Sequence, residues 1–350
     1  MIKLVDLAER GWIPDSLLRI GMRRLLIKRL QQDRSNATES GKLDFVNQMA
    51  GSPLAVATTD ANYQHYEVPT EVFQNMLGPH LKYSCAFYED GDNRLADAEL
   101  AMLKLTAERA QLRSAQRVLE LGCGWGSLTL YMAAEYPGSH ITAVSNSHSQ
   151  RLYIEAQAAQ RGLTNITVIT MDMNNFAPVE KFDRVVSIEM FEHMRNYKLL
   201  FNRISQWLSA DGLLFFHIFC HRDQPYFFED DSEEDWMARN FFTGGLMPSL
   251  DLPQKFEGEL RQQRCWVVNG RHYARTCAAW LRNLDNNKTE IFKILDASEN
   301  PDPAQILWQR WRMLVMACEE MFAYEDGETW MVGHFLFEKV DDEKREAGKG

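Results

Sequence analysis

The sequence predicts an α/β fold, a doubly wound and mainly parallel seven-stranded sheet of Rossmann-like order, with a helical extension before it and an insertion after its fifth strand. Three features carry that prediction. From residue 96 onward, short apolar runs alternate with stretches of helical periodicity. The first run leads directly into the turn Gly122-Cys123-Gly124-Trp125-Gly126. The later runs recur at the intervals that strand–helix–strand units require.

In chain order, residues 12–32 place Ile13, Leu17, Leu18, Ile20, Met22, Leu25, Leu26 and Leu30 at roughly helical spacing, with Arg19, Arg23, Arg24, Lys28 and Arg29 between them. This is a basic amphipathic helix. It is expected to dock on the chain's own body or on a second copy in a homodimer; peripheral membrane contact is the alternative. Residues 33–60, rich in Ser, Asn, Thr, Asp and Gly, read as a connection with little regular structure. A helix over 97–110 precedes the first strand, Arg117–Leu121, and the glycine turn opens a helix over 127–135. Strand two is 140–144 and strand three 166–170, with a helix over 149–161 between them. Strand four is 182–188, followed by a helix reaching Leu208, and strand five is 212–219. Residues 220–260 are aromatic and acidic and read as an insertion over the sheet edge. A strand over 259–268, helices near 275–298 and 303–322, and a last strand over 330–339 complete the pattern. The expected division is thus a helical extension (1–60), one main domain (61–340) with a substrate-side insertion at 220–275, and a charged, frayed tail (341–350).

Composition narrows the function classes. With 45% hydrophobic and 25% charged residues, the 350-residue chain is ordinary globular protein. No apolar run approaches the roughly 18 residues of a membrane span, so no integral membrane segment is expected. The N-terminus lacks the basic-then-apolar order of a secretory signal, and a cytoplasmic location is expected. Six scattered cysteines without CxxC spacing read as reduced thiols, and no metal site is expected. A net charge of −11 argues against a nucleic-acid partner, because phosphate binding needs a basic surface. Part of that charge is the run from Glu229 to Asp235, read as a solvated segment or as an attractor of a cationic substrate.

The glycine turn points to the cofactor only together with the strands that follow it; alone it could be no more than a tight strand-to-helix connection. Ligands of an open parallel sheet sit beyond the carboxyl ends of the strands, at the switch point, and glycines there let the backbone approach them. A dinucleotide fingerprint would read GxGxxG, with its pyrophosphate at the helix start. Here the turn is GxGxG, preceded by Glu120, which suits a cationic amino acid better than a pyrophosphate. With the following strands at their intervals, this predicts S-adenosylmethionine. Strand two ends in Ser145-Asn146-Ser147, with Gln150 one turn later, where an acidic residue usually holds the ribose; Asn146 and Gln150 can serve the diol without charge. Asp172 is placed to accept from the adenine amino group or to cap a helix, and Met173 to pack on the ring.

At this point the residues resemble a known family. Tyr83-Ser84-Cys85-Ala86-Phe87, the glycine turn, Asn146-Ser147-His148-Ser149-Gln150 and Glu189-Met190-Phe191-Glu192-His193-Met194 look like the cyclopropane fatty acid synthase superfamily of class I methyltransferases. The stretches 235–249, 268–273 and 330–337 are most similar to its coclaurine N-methyltransferase group. That resemblance implies Glu189, Glu192 and His193 as catalytic residues and an amine of a hydrophobic, tetrahydroisoquinoline-like framework as acceptor. It adds Ser84 and Ile188 to Gly122, Gly124, Asn146, Gln150, Asp172 and Met173 around the cofactor. The chemistry agrees: an ammonium must lose a proton before it can attack, a carboxylate attracts it, and a histidine of ordinary pKa near 6.5 can take the proton. The cyclopropane branch instead holds a bicarbonate ion as base, and its ligands match Cys85, Glu192, His217 and Tyr273 here. Methylation of unsaturated acyl chains with bound bicarbonate is therefore the alternative expectation. A cofactor-binding protein without turnover is a third, disfavoured by Glu192 and His193. Trp236, Phe241, Phe242, Trp266 and Trp330 are candidate aromatic walls for a cationic substrate, although each alone is more often plain core.

Overall fold

The structure, a computed structural model, describes residues 4–36, 38–56, 68–90, 94–230, 232, 235–298 and 300–340. Asp231, Glu233 and Glu234 of the acidic run, the end of the expected 33–60 connection and the 341–350 tail lie outside the described residues. Alternating apolar runs produce the five parallel strands β1 (Arg117–Leu121), β2 (His140–Ser145), β3 (Ile166–Thr170), β4 (Phe182–Ile188) and β5 (Leu208–His221). Two short strands, β6 (Tyr226–Phe227) and β7 (Leu246–Met247), pair with each other in the insertion. β8 (Leu260–Val268) and β9 (Trp330–Lys339) rejoin the main sheet, whose order is β3-β2-β1-β4-β5-β9-β8, with β9 antiparallel to both its neighbours. The direction of winding reverses between β1 and β4. The ligand crevice of such a sheet lies there, beyond the strands' carboxyl ends.

Twelve described α-helices surround the sheet. They are α1 (Leu4–Glu9), α2 (Asp15–Asn36), α3 (Glu39–Ala50), α4 (Thr70–Met76), α5 (Leu95–Arg109), α6 (Ser127–Glu135), α7 (His148–Gln160), α8 (Tyr197–Trp207), α9 (Trp236–Phe241), α10 (Gly270–Asn286), α11 (Lys288–Ala297) and α12 (Ala304–Ala323). Where one helix was expected near 275–298 there are two, separated at Asn287.

The amphipathic helix α2 docks on the chain's own body. Arg19 pairs with Glu319 and Glu320 of α12, each at 2.7 Å, and Asp15 pairs with Arg312 at 2.6 Å. Ile13, Met22, Leu26 and Leu30 turn toward the core, while Leu17, Ile20, Leu25 and Ile27 stay exposed. The expectation of little regular structure in 33–60 is corrected by α3. Thr38 caps it by accepting from the Gly41 amide, and Phe45, Val46 and Met49 bury one face against the core around β4 and α8. Asn196 then anchors its end, donating to the Ala50 and Ser52 carbonyls at 3.0 and 2.8 Å. Phe45, Val46, Met49 and Ala50 do recur at helical spacing behind the Thr38 cap, a signal hidden by the Ser, Asn, Asp and Gly around it, and tertiary packing of that face holds the helix.

One close approach fixes the helix that carries Tyr273. At Gly270, the first residue of α10, a Cβ atom would stand 2.1 Å from the Trp330 carbonyl oxygen and 2.6 Å from that of Phe322. Both are backbone atoms and cannot swing aside. Gly270→Ala is therefore expected to lower unfolding stability by about 1–3 kcal/mol, the usual cost of overpacking, read as a shifted midpoint in chemical denaturation; an unchanged midpoint would mean that α10 is free to lift from β9.

Candidate active site

The site is assembled where β1 and β4 part. β4 ends at Ile188, and Glu189 follows with φ 47°, a left-handed conformation costly for a residue with a side chain. The turn returns the chain so that the Glu189 amide donates to the His217 carbonyl at 2.8 Å. The Glu189 carboxylate is then gripped from three elements. Its Oε1 accepts from the Cys85 amide and from His217 Nε2, both at 3.0 Å, and its Oε2 accepts from the Tyr273 hydroxyl at 2.6 Å. Glu192 goes elsewhere. Its Oε1 accepts from the Phe219 amide at 2.8 Å, while its Oε2 is buried without a hydrogen-bond partner among the described residues.

These two carboxyl groups divide one charge between them. Burial raises the pKa of both above the ordinary carboxylate range. For Glu189 the Lys82 ammonium, the Tyr273 hydroxyl and the Cys85 amide oppose that rise; for Glu192 the negative charge on Glu189 adds to it. Glu189, with three donors, holds the charge, and Glu192, with one, holds the proton. His193 departs from the sequence expectation: burial lowers its pKa to about 4, so the ring is neutral near pH 7 instead of partly protonated. Burial also lowers the pKa of Lys82, which donates to the Ser84 hydroxyl and, at 2.8 Å, to the Cys85 carbonyl.

Glu189 and His193 face a cavity of about 1180 Å³, counted out to its open mouth. Its floor is the glycine turn with Ser84, Gln150 and Ile188, and its walls include Tyr83, Trp125, Phe219, Phe242, Tyr273 and Trp280. A smaller adjoining cavity of about 630 Å³ is lined by Asn146, Asp172 and Met173. Gly122, Gly124, Gln150, Met190 and His193 border both. The expected cofactor residues thus surround one continuous cleft.

The cleft fits S-adenosylmethionine on its own chemistry. Gly122, Gly124 and Gly126 have φ values of 77°, 50° and 76°, the left-handed turn that lets a ligand lie against the backbone. Gln150 Nε2, Trp125 Nε1 and Ser127 Oγ are buried without hydrogen-bond partners among the described residues, and all three residues line the larger cavity. Buried donors of this kind require a partner. Burial raises the Glu120 pKa to about 8, opposed by its hydrogen bond from Thr129, so a cationic amino group in the cleft would restore its charge.

Bicarbonate does not fit. Three of the donors that the resemblance assigns to it, at Cys85, His217 and Tyr273, already hold the Glu189 carboxylate, and the fourth residue, Glu192, points to Phe219. Burial raises the pKa of the Cys85 thiol well above its ordinary value, which leaves that side chain as packing.

Among the aromatic candidates only Phe242 lines the cavity. Trp236 donates from Nε1 to Glu9 at 2.7 Å, and its neighbour Phe241 packs on Trp311, 5.3 Å between centroids. Both belong to the seat of the N-terminal helices. Trp330 is fully buried in β9 with Nε1 on the Tyr226 hydroxyl, and Trp266 lies under Arg109. Sequence reasoning missed Lys82, Trp125, Phe219 and Trp280, together with Leu314, Val315 and Cys318 of α12. Lys82 had one available signal, a lysine inside the apolar Leu81–Phe87 stretch, and Trp125 stands in the glycine turn itself. Phe219 enters from β5, and Trp280, Leu314, Val315 and Cys318 reach the cavity only through the way α10 and α12 cross it.

Comparison with known proteins agrees with this architecture. The family model described as mycolic acid cyclopropane synthetase matches residues 56–331. The chain is 35% identical over 347 residues to (S)-coclaurine N-methyltransferase of Thalictrum flavum subsp. glaucum, covering 97% of this chain and 96% of that one. It is 29% identical to cyclopropane-fatty-acyl-phospholipid synthase of Escherichia coli (strain K12), over 77% of this chain and 66% of the relative. A crystal structure of coclaurine N-methyltransferase bound to N-methylheliamine and S-adenosylhomocysteine superposes with a TM-score of 0.91 at 36% identity, covering 96% of this chain and 99% of the other.

The unpartnered amide of Gln150 yields a direct expectation. Gln150→Ala should weaken binding of S-adenosylhomocysteine about tenfold, the loss of roughly one hydrogen bond, measured by titration calorimetry. Unchanged affinity would place the cofactor elsewhere.

Proposed function

The chain belongs to the mycolic acid cyclopropane synthetase family and is an S-adenosylmethionine-dependent N-methyltransferase, and we propose that its acceptor is an amine on a hydrophobic, tetrahydroisoquinoline-like framework, with Glu189 and His193 as the groups that meet it. The observation that carries this reading is the Glu189 carboxylate, held by three donors at the wall of a cavity that Tyr83, Trp125, Phe219, Phe242, Tyr273 and Trp280 help to line. An amine near neutral pH arrives protonated, and such a pocket attracts it through the carboxylate and through cation–π contact with Tyr83, Trp280 and Phe242. Glu189 Oε2 carries one donor from Tyr273 and keeps a second lone pair for an ammonium proton. Burial makes this carboxylate a stronger base than an ordinary one, so it takes the proton and frees the nitrogen lone pair. His193, neutral at its depressed pKa, accepts a hydrogen bond from the amine and aims it. When bound, S-adenosylmethionine supplies a sulfonium methyl open to in-line displacement, and S-adenosylhomocysteine remains. Exclusion of water by the aromatic wall and alignment of the nitrogen are the protein's further contributions. Glu192 acts behind the wall, where its hydrogen bond to the Phe219 amide shapes the turn between Glu189 and His193.

The N-terminal helices, with Trp236 on Glu9, close one side of the body as a separate extension. Arg24 stands with Leu17, Ile20, Leu25 and Ile27 on the exposed face of α2, and we propose that face for peripheral membrane contact or a homodimer. We assign the reaction to the cytoplasm on the six unpaired cysteines, which suit a reducing compartment; among the described residues no helix is long and apolar enough to cross a membrane.

The test is methyl transfer from labelled S-adenosylmethionine to a panel of tetrahydroisoquinolines and, separately, to an unsaturated phospholipid. Label is expected in the amines; label only in the lipid overturns the reading. Glu189→Gln and His193→Ala should each lower kcat by about a hundredfold or more while S-adenosylhomocysteine still binds. Because Glu189 must be ionised, kcat should fall as pH drops through its pKa, which burial sets above the ordinary value of about 4.3. Full activity of either variant removes its residue from the chemistry.

A further inference from the structure

Behind Glu189 the sheet register lines up four side chains. Ile188, the residue before Glu189, is opposite His217 in β5, His217 is opposite His334 in β9, and His334 is opposite Trp266 in β8. His334 Nε2 meets His217 Nδ1 at 3.0 Å, and His334 Nδ1 meets an Arg109 guanidinium nitrogen at 2.9 Å. Arg109 belongs to the last turn of α5 and lies over the Trp266 ring, 5.2 Å from its centroid. Both histidines are fully buried, whereas Arg109 is half-buried near the surface.

The direction of this chain follows from which atoms can only donate. A guanidinium has no acceptor, so His334 Nδ1 must be unprotonated and accept from it. A neutral His334 then carries its proton on Nε2 and donates to His217 Nδ1. His217 in turn carries its proton on Nε2 and donates to Glu189 Oε1. Burial pushes the pKa of both rings well below the ordinary value, so neither gains a second proton that would break the order. We propose that Arg109 and His334 are positioning residues for the methyl transfer: through His217 they fix the direction of a hydrogen-bond relay that presents a donor to Glu189 and keeps its carboxylate ionised. This rests on the reading of Glu189 as the group that meets the amine.

The relay is unused by the chemistry described above, because neither Arg109 nor His334 lines the cavity. A buried pair of histidines with nothing to orient would be a costly choice in a sheet interior otherwise built of Phe215, Phe216, Leu336 and Phe335. Reversal should be possible from the outer end. A carboxylate in place of the guanidinium can only accept; His334 would then be protonated on Nδ1, His217 on Nδ1, and the unprotonated His217 Nε2 would face Glu189. A proton on Glu189 would be the only way to restore that bond. The titratable and charged groups around Glu189 are Lys82 and Cys85 before α5, Glu192 and His193 in the turn, His217 and Tyr273; around the relay they are Arg109, Glu108, Lys82 and Cys265.

The experiment compares wild type, Arg109→Lys and Arg109→Glu by two readouts. Nitrogen-15 spectra of the imidazoles report which nitrogen of each ring is protonated, with or without turnover. Wild type and Arg109→Lys should show both rings protonated on Nε2, and Arg109→Glu should show both on Nδ1. The acid limb of the kcat–pH profile should be the same for the first two and move up by about one pH unit in Arg109→Glu, a roughly tenfold loss of kcat on that limb, with S-adenosylhomocysteine affinity unchanged. An Nδ1 proton on either ring of the wild type overturns the relay, as does a limb that stays in place when the tautomers reverse. Failure of the wild type to methylate any amine overturns the functional reading instead, and the spectra still decide the relay.

Discussion

A carboxylate buried at the end of β4 is the constraint on which the rest of this site depends. Removing one ionised carboxylate from water costs several kcal/mol unless protein dipoles replace the lost hydration. For Glu189 the replacements come from places far apart in the sequence: the Cys85 amide before α5, His217 in β5 and Tyr273 in α10. Each is held by a separate feature. The β4–β5 register sets His217, the left-handed turn at Glu189 aims the carboxylate, and the absent side chain at Gly270 lets α10 lie close enough for Tyr273 to reach it.

The same donors explain why a family that includes cyclopropane synthases can also hold an amine methylase. An amide, an imidazole and a phenol arranged around one point will take any small carboxylate-like anion. Here that anion is part of the chain. Its charge is fixed where a cation should arrive, and Glu192 behind it retains a proton because two neighbouring buried carboxyls cannot both ionise.

Much of this was legible in the sequence, for local reasons. The five parallel strands and the glycine turn follow from hydrophobic period and from residues that tolerate positive φ, and the Glu189–His193 segment is reached through its resemblance to the family's motif after strand four. What was not legible depends on long-range packing. The pKa of His193 is set by what surrounds it, and no spacing rule reports that burial. Trp236 and Phe241 looked like pocket walls but serve the docking of α1 and α2, because Glu9 captures the indole. Trp280 looked unremarkable in a helix and lines the cavity. His217 and His334 are 117 residues apart, and only the antiparallel register of β5 and β9 brings them together.

The account turns on the Glu189 carboxylate occupying the anion position and meeting the amine there. A crystal structure of the protein with S-adenosylhomocysteine and a tetrahydroisoquinoline tests it most directly. The account predicts the amine nitrogen within about 3.2 Å of Glu189 or His193, with Cys85, His217 and Tyr273 still bonded to the carboxylate. Glu189 turned away and a separate bicarbonate bound by those three donors would contradict it.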